Sequence, residues 1–206
     1  YDSGLNGFIF HSMQAKVFNS IVSGENVILG APTSMGKSAV VDALINSKMY
    51  SCVVIVVPTI ALIDETRKRI ARRFEHEYQI IYHGSQVRTR KRAVYILTQE
   101  RVNERDDLDS VDLFVIDEFY KLAFSNEDRS RVVALNIALS RLMSVSKQFF
   151  MIGPNIDLVR GMECFGRDYR FIPTDFRTVA TNNFKYNISP NDTGEKIRVL
   201  LDIIKE

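Results

Sequence analysis

Asn26-Val-Ile-Leu-Gly-Ala-Pro-Thr-Ser-Met-Gly-Lys-Ser38 is the stretch that decides the architecture. It opens as a short apolar strand, passes through a loop of small residues, and becomes a helical pattern from Lys37 onward. From Ala31 it fits a fixed spacing: a small residue, then Pro32, Thr33, Ser34 and Met35, then Gly36, Lys37 and Ser38. A loop of this kind aims successive backbone N–H groups, and the positive end of the next helix, at phosphate oxygens. Gly36 permits close approach of backbone to phosphate. Lys37 is expected to reach the β- and γ-phosphates, and the Ser38 hydroxyl to hold Mg²⁺.

Outward from that loop, short apolar runs alternate with helical patterns. Strands are expected over residues 26–29, 52–57, 79–82, 94–97, 113–116 and 148–152. Helices are expected over 11–22, 37–46, 60–76, 99–105, 129–145 and 155–162. Uninterrupted Val, Ile, Leu and Phe in the strands implies a sheet covered on both faces, and strand–helix alternation implies a mostly parallel one. One strand, Leu113-Phe-Val-Ile, ends in two acids, Asp117 and Glu118. Acids exposed at the carboxyl end of a buried strand lie where such sheets bind ligands. Asp117 is expected to contact Mg²⁺, and Glu118 to orient or deprotonate the attacking water.

Composition bounds the remaining classes. The chain has 206 residues, 46% hydrophobic and 25% charged, ordinary for a globular domain. Its apolar runs are too short to span a bilayer. The two cysteines, Cys52 and Cys164, show no metal or disulfide spacing and suit a reducing intracellular compartment. The first residue is Tyr1 with no charged-then-apolar leader, so the start reads as a cut or processed end. The net charge of +2 hides a concentration: residues 67–92 hold nine Lys/Arg against Glu75 and Glu77. Such a band fits a polyanion partner, with a solvated helix face as the plain alternative.

With these residues in view, the chain resembles the superfamily 2 helicases (DEAD/DEAH-box and Ski-type), specifically their first RecA-like domain. The loop from Ala31 to Ser38 looks like that family's first motif, and Asp117-Glu-Phe-Tyr120 stands where its DEAD, DEAH or DExH would. Gln14, 23 positions before Lys37, resembles the glutamine that reads adenine. Pro58-Thr59-Ile60-Ala-Leu and Thr98-Gln99-Glu100-Arg101 resemble the loops that grip a nucleic-acid backbone, with Arg67, Ser85 and Arg88 between them as further contacts. Helix N-capping is the plain alternative for Thr59 and Thr98.

The likeness runs from Gln14 to about Ala180, with three departures. Ile60 stands where the family has Arg. Phe119 and Tyr120 replace a small residue and His or Asp. Gly153, Pro154 and Asn155 replace the Ser-Ala-Thr that couples nucleotide state to strand separation.

The resemblance implies a three-layer α/β RecA-like domain over residues 1–188, with residues 189–206 as the linker and opening helix of a second such domain of the longer chain. That second domain would carry an arginine finger, so the piece alone is expected to be nearly inactive. The expected function is an ATP- and Mg²⁺-dependent motor on single-stranded DNA or RNA, without a membrane. Two alternatives stay open: a nucleotide-gated clamp that does not unwind, and a P-loop ATPase that remodels protein.

Overall fold

Each apolar run of the sequence becomes a strand of one sheet. The computed structural model describes residues 2–5, 7–31, 35–119, 129–154 and 161–174. In chain order the elements are α1 (Ser12–Val22), β1 (Val27–Gly30), α2 (Lys37–Asn46), β2 (Cys52–Val56), α3 (Ile60–Phe74), β3 (Gln79–Ile81) and β4 (Ala93–Leu97). There follow α4 (Gln99–Glu104), β5 (Val111–Asp117), α5 (Arg129–Val145), β6 (Ser146–Gly153), a 3₁₀ turn (Met162–Phe165) and β7 (Arg170–Pro173). The seven strands lie in the order β3-β4-β2-β5-β6-β1-β7, and every ladder is parallel.

Successive strand residues point to opposite faces, and here both faces are covered, which is why no polar alternation appears. On one face Val27, Leu29, Val53, Ile55, Val115 and Phe150 pack with Val17 and Ile21 of α1, Leu44 of α2 and Ile70 of α3. On the other, Ile28, Val54, Tyr95, Phe114 and Met151 pack with Val102 of α4 and Leu135, Leu139 and Leu142 of α5. The result is the expected three-layer α/β arrangement.

The differences from expectation are local. β5 and β6 run longer than their apolar cores. Asp112 at the start of β5 earns its place by polar bonding: its Oδ2 accepts from Ser51 N and Cys52 N at 2.7 and 2.9 Å, and its Oδ1 from Lys147 Nζ at 2.7 Å. α3 stops at Phe74, whose carbonyl takes the N–H groups of Glu77 and Tyr78 as the chain turns. β7 is only four residues with exposed Arg170 and Pro173, and it takes its order from pairing with β1. Cys52 is buried, and burial pushes its thiol up to about 11, as for an inert core thiol; Cys164 is exposed. No helix among the described residues is long and apolar enough to cross a membrane. Residues 155–160 of the helix expected at 155–162 lie outside the described residues, and its end at Met162 is instead the start of the 3₁₀ turn; residues 189–206, Tyr120 and the loop residues Pro32, Thr33 and Ser34 also lie outside them.

Candidate functional site

Because every ladder is parallel, the carboxyl ends of β1, β2, β4, β5 and β6 open on one edge. Leu29 and Asp117 both pair with Ile152 of β6, so the phosphate loop and the acid leave the sheet at the same level. Only β6 separates them, a gap of roughly 9–10 Å at ordinary strand spacing. The Ala31 N–H donates to Gly153 O at 2.9 Å, which fixes the start of the loop on the end of β6.

The far end of the loop is fixed from α1. Gly36 adopts φ 72°, ψ 39°, a left-handed conformation that glycine takes readily. Gln14 is 2% exposed, and its Nε2 donates to the carbonyls of Met35 and Gly36 at 3.0 and 3.2 Å. Its Oε1 accepts from His11 N at 3.2 Å, and His11 Nε2 lies 3.2 Å from the Met35 carbonyl. A Cβ on Gly36 would meet Gln14 Nε2 at 2.8 Å, so the amide would have to shift from its hold on the loop. The amide expected to read adenine is thus also a buried hold on the loop, supported by His11, which no sequence motif marked.

Lys37 begins α2, half-buried, with Nζ only 3.4 Å from Ala31 O. Loss of solvent pulls its pKa down, partly offset by the charges of Asp117 and Glu118. A lysine so placed lacks hydration and gains strongly from a phosphate counter-charge. Ser38 is exposed in the first turn of α2. Its carbonyl accepts from Arg69 of α3 at 3.3 Å, and Arg69 and Arg73 both pair with Asp42, a buried acid of α2. This α2–α3 brace was invisible in the sequence, because nothing in the charge pattern says which Arg meets which acid.

Asp117 closes β5 and accepts from Glu118 N at 2.9 Å. Glu118 has φ 57°, uncommon for a residue with a Cβ and costing on the order of 1–2 kcal/mol. Phe119 after it is buried in the α4–α5 side of the core, which accounts for a large residue at that position. The donor set fits Mg²⁺. That ion takes one or two protein oxygens and fills its shell with phosphates and water. The Ser38 hydroxyl and Asp117 carboxylate supply such a pair, and no larger His/Cys/Asp/Glu group occurs among the described residues.

The residues expected to grip a strand divide. Pro58 is buried, whereas Thr59 is exposed and caps α3, its hydroxyl accepting from Leu62 N at 3.3 Å. Thr98 and Gln99 are buried, and Gln99 donates to Glu100 at 2.8 Å. Arg101 is partly exposed and donates to Tyr82 O at 2.6 Å. Arg131 of α5, unmarked in the sequence, donates to Pro58 O and lies 3.8 Å from Glu100, joining the two loops. Ser85 is exposed beyond β3 at the same edge. Arg67 pairs with Asp64 at 2.6 Å and sits over the Tyr82 ring. Arg88, by contrast, belongs to the segment leading into β4, so residues 88–92 run toward the amino edge, away from Thr59 and Thr98. Gly153 and Pro154 close β6 beside the phosphate loop, and Asn155 lies outside the described residues.

The chain is similar to known proteins in sequence and in fold. The family model for the DEAD/DEAH box helicase matches residues 11–152. The chain is 51% identical over 205 residues to Anti-bacteriophage protein B of Escherichia coli, covering 96% of this chain and 28% of that protein. It is 28% identical over 196 residues to human Helicase POLQ-like, covering 85% of this chain and 17% of that protein. It therefore spans under a third of either relative. In fold it is similar to a hypothetical ATP-dependent RNA helicase from Sulfolobus tokodaii, with a TM-score of 0.63 at 22% identity over 82% of this chain and 54% of that one. With a family model matched across most of its length, and the motifs of that family set around one sheet edge, the chain belongs to the DEAD/DEAH box helicases as a superfamily 2 RecA-like ATPase domain.

Proposed function

We propose that this chain binds ATP with Mg²⁺ and hydrolyses it to drive a helicase or translocase along single-stranded DNA or RNA. One observation carries the reading: Lys37 and Ser38 face Asp117 and Glu118 across β6, on the edge that also bears Thr59 and Arg101. Lys37 exchanges its weak contact with Ala31 O for the β- and γ-phosphates. Mg²⁺ held by Ser38 and Asp117 supplies charge neutralisation there. Glu118 accepts the proton of the attacking water. Gln14 holds the loop from α1 and reads adenine, its Oε1 accepting only from His11 N among the described residues and so having a second lone pair for the base's amino group. Thr59, Arg101 and Ser85 take strand phosphates, and the Ala31–Gly153 bond links β6 to the phosphate loop. A second RecA-like domain completes the site with an arginine, a reading supported by relatives several times longer than this chain.

The substitution of Gly153-Pro154 for the family's coupling residues favours one rival, a nucleotide-gated clamp that grips without unwinding. The full-length protein should be assayed for ATP turnover with and without single-stranded DNA and RNA, and for displacement of a paired strand. Stimulated turnover with displacement is expected. Stimulation without displacement excludes a helicase and leaves a translocase or the clamp, and turnover indifferent to either polynucleotide leaves a protein-remodelling ATPase.

A further inference from the structure

Beside the edge strand β3, an open groove of about 410 Å³ runs between α3 and the segment leading into β4. Arg67, Tyr78, Gln79, Tyr82, Thr89 and Arg90 line it, with Glu75 as its acid. Its outer wall is built, not loose. Gln79 Oε1 accepts from Thr89 N and Arg90 N at 2.7 and 3.0 Å, and Gln79 Nε2 donates to Val87 O at 2.8 Å. Gln86 Oε1 takes the N–H groups of Tyr82 and His83, both at 2.8 Å.

Arg90 lines the groove, and it and its neighbours Arg88 and Arg92 are fastened to neutral groups, while Lys91 beside them is exposed. Arg90 donates to Glu75 O at 2.8 Å, Arg92 to Lys48 O at 3.2 Å, and Arg88 to the carbonyls of Arg90 and Lys91. None of Arg88, Arg90, Lys91 and Arg92 forms an ion pair among the described residues. A guanidinium on a carbonyl is held in place but keeps its whole charge, so the wall presents fixed positive charge to solvent. At the upper end the Arg67 guanidinium stands 4.8 Å over the Tyr82 ring, and the Tyr82 carbonyl is bound by Arg101 of α4. The groove therefore runs from Tyr82, just past the carboxyl end of β3, down the three residues of that strand, about 10 Å, toward the amino edge.

We propose that this flank is a second contact for a single nucleic-acid strand, with phosphates on Arg90 and Lys91 and a base or sugar against the Arg67–Tyr82 pair. A fixed cation beside a partly exposed aromatic ring suits an unpaired strand, since its bases are free to stack while its backbone stays charged; Tyr82 is that ring, Tyr78 being buried. The proposal rests on the nucleic-acid reading above and extends the path of the strand beyond the carboxyl edge.

The test uses the full-length protein, fluorescent single strands of six and thirty nucleotides, and anisotropy titrations over a range of salt. Arg90→Ser/Lys91→Ser is expected to weaken the long strand about tenfold and flatten its log–log salt slope by roughly 1.4, at about 0.7 per lost phosphate contact. The six-nucleotide strand should bind unchanged, and polynucleotide-saturated ATP turnover should stay as in the wild type. Arg90→Lys/Lys91→Arg should retain long-strand binding. Equal loss for both lengths, no loss for the long strand, or equal loss in the charge-preserving variant would each overturn the second contact. Failure of the motor reading looks different: strands that bind but leave turnover unstimulated sink the motor and leave the flank standing.

Discussion

The carboxyl edge around β1, β5 and β6 and the flank beside β3 are both charged, yet they hold charge in opposite ways. At the edge, Lys37 is half-buried, Glu118 sits in a left-handed backbone conformation, and a buried amide props the loop from behind. The first two carry a local cost, and a bound phosphate offsets the one at Lys37. On the flank, guanidinium groups rest on carbonyls and face water at little cost. The first arrangement suits a ligand that must be bound tightly and then changed. The second suits a polymer held loosely while it moves past.

The largest effect should separate binding from chemistry within the edge itself. In the full-length protein, Glu118→Gln is expected to lower ATP turnover by about a hundredfold or more, the usual worth of a positioned general base. Nucleotide affinity should stay close to wild type, because the amide occupies the same space. A variant that loses affinity in parallel with turnover would remove Glu118 from its assigned role.

Next in size is Lys37→Ala. Removing a charge-assisted contact to phosphate should weaken ATP binding by roughly 1.5–3 kcal/mol, about ten- to a hundredfold. Calorimetry on this chain measures it directly, and equal affinities would dissolve the contrast between a lysine poised for phosphate and the cations of the flank.

The smallest effect concerns an anchor that belongs to neither region. Burial pushes the Asp112 carboxyl up, but Lys147 and the N–H groups of Cys52 and Ser51 outweigh it, so it titrates below its ordinary 3.8. A depressed folded-state pKa gives stability that is present above the ordinary value and lost as pH falls through the folded one. Asp112→Asn should therefore cost about 1–2 kcal/mol near neutral pH, with the gap to wild type closing below about pH 4. A gap that stays constant in acid would mean that the amide's shape, not the carboxylate's charge, matters there.

Much of the fold was legible because two-sided burial writes itself as uninterrupted apolar runs, and each such run from Val27 to Ile152 became a strand. The phosphate loop was legible for a similar reason: its spacing follows from backbone geometry, and geometry constrains residue type. What stayed hidden was partnership between distant side chains. Nothing about Asp42, Arg69 and Arg73 in the sequence announces a brace between α2 and α3, and nothing about Arg131 announces its hold on Pro58. The basic band shows a different limit. Its charge was counted correctly, but a count carries no direction. Residues 88–92 enter β4 and Thr98 leaves it, and in a parallel sheet those are opposite ends.

The contact between Gln14 and the backbone of Met35 and Gly36 makes α1 a handle on the phosphate loop. Whatever shifts that helix by even a fraction of an ångström changes how well the loop fits a triphosphate, and by reciprocity a bound nucleotide must change how firmly α1 is seated. Ser12–Val22 thus joins the nucleotide's thermodynamics through the loop's backbone. A neighbour that presses on this helix would tune ATP affinity from behind, and the tightening of α1 amide exchange on nucleotide binding would be the measure of that leverage.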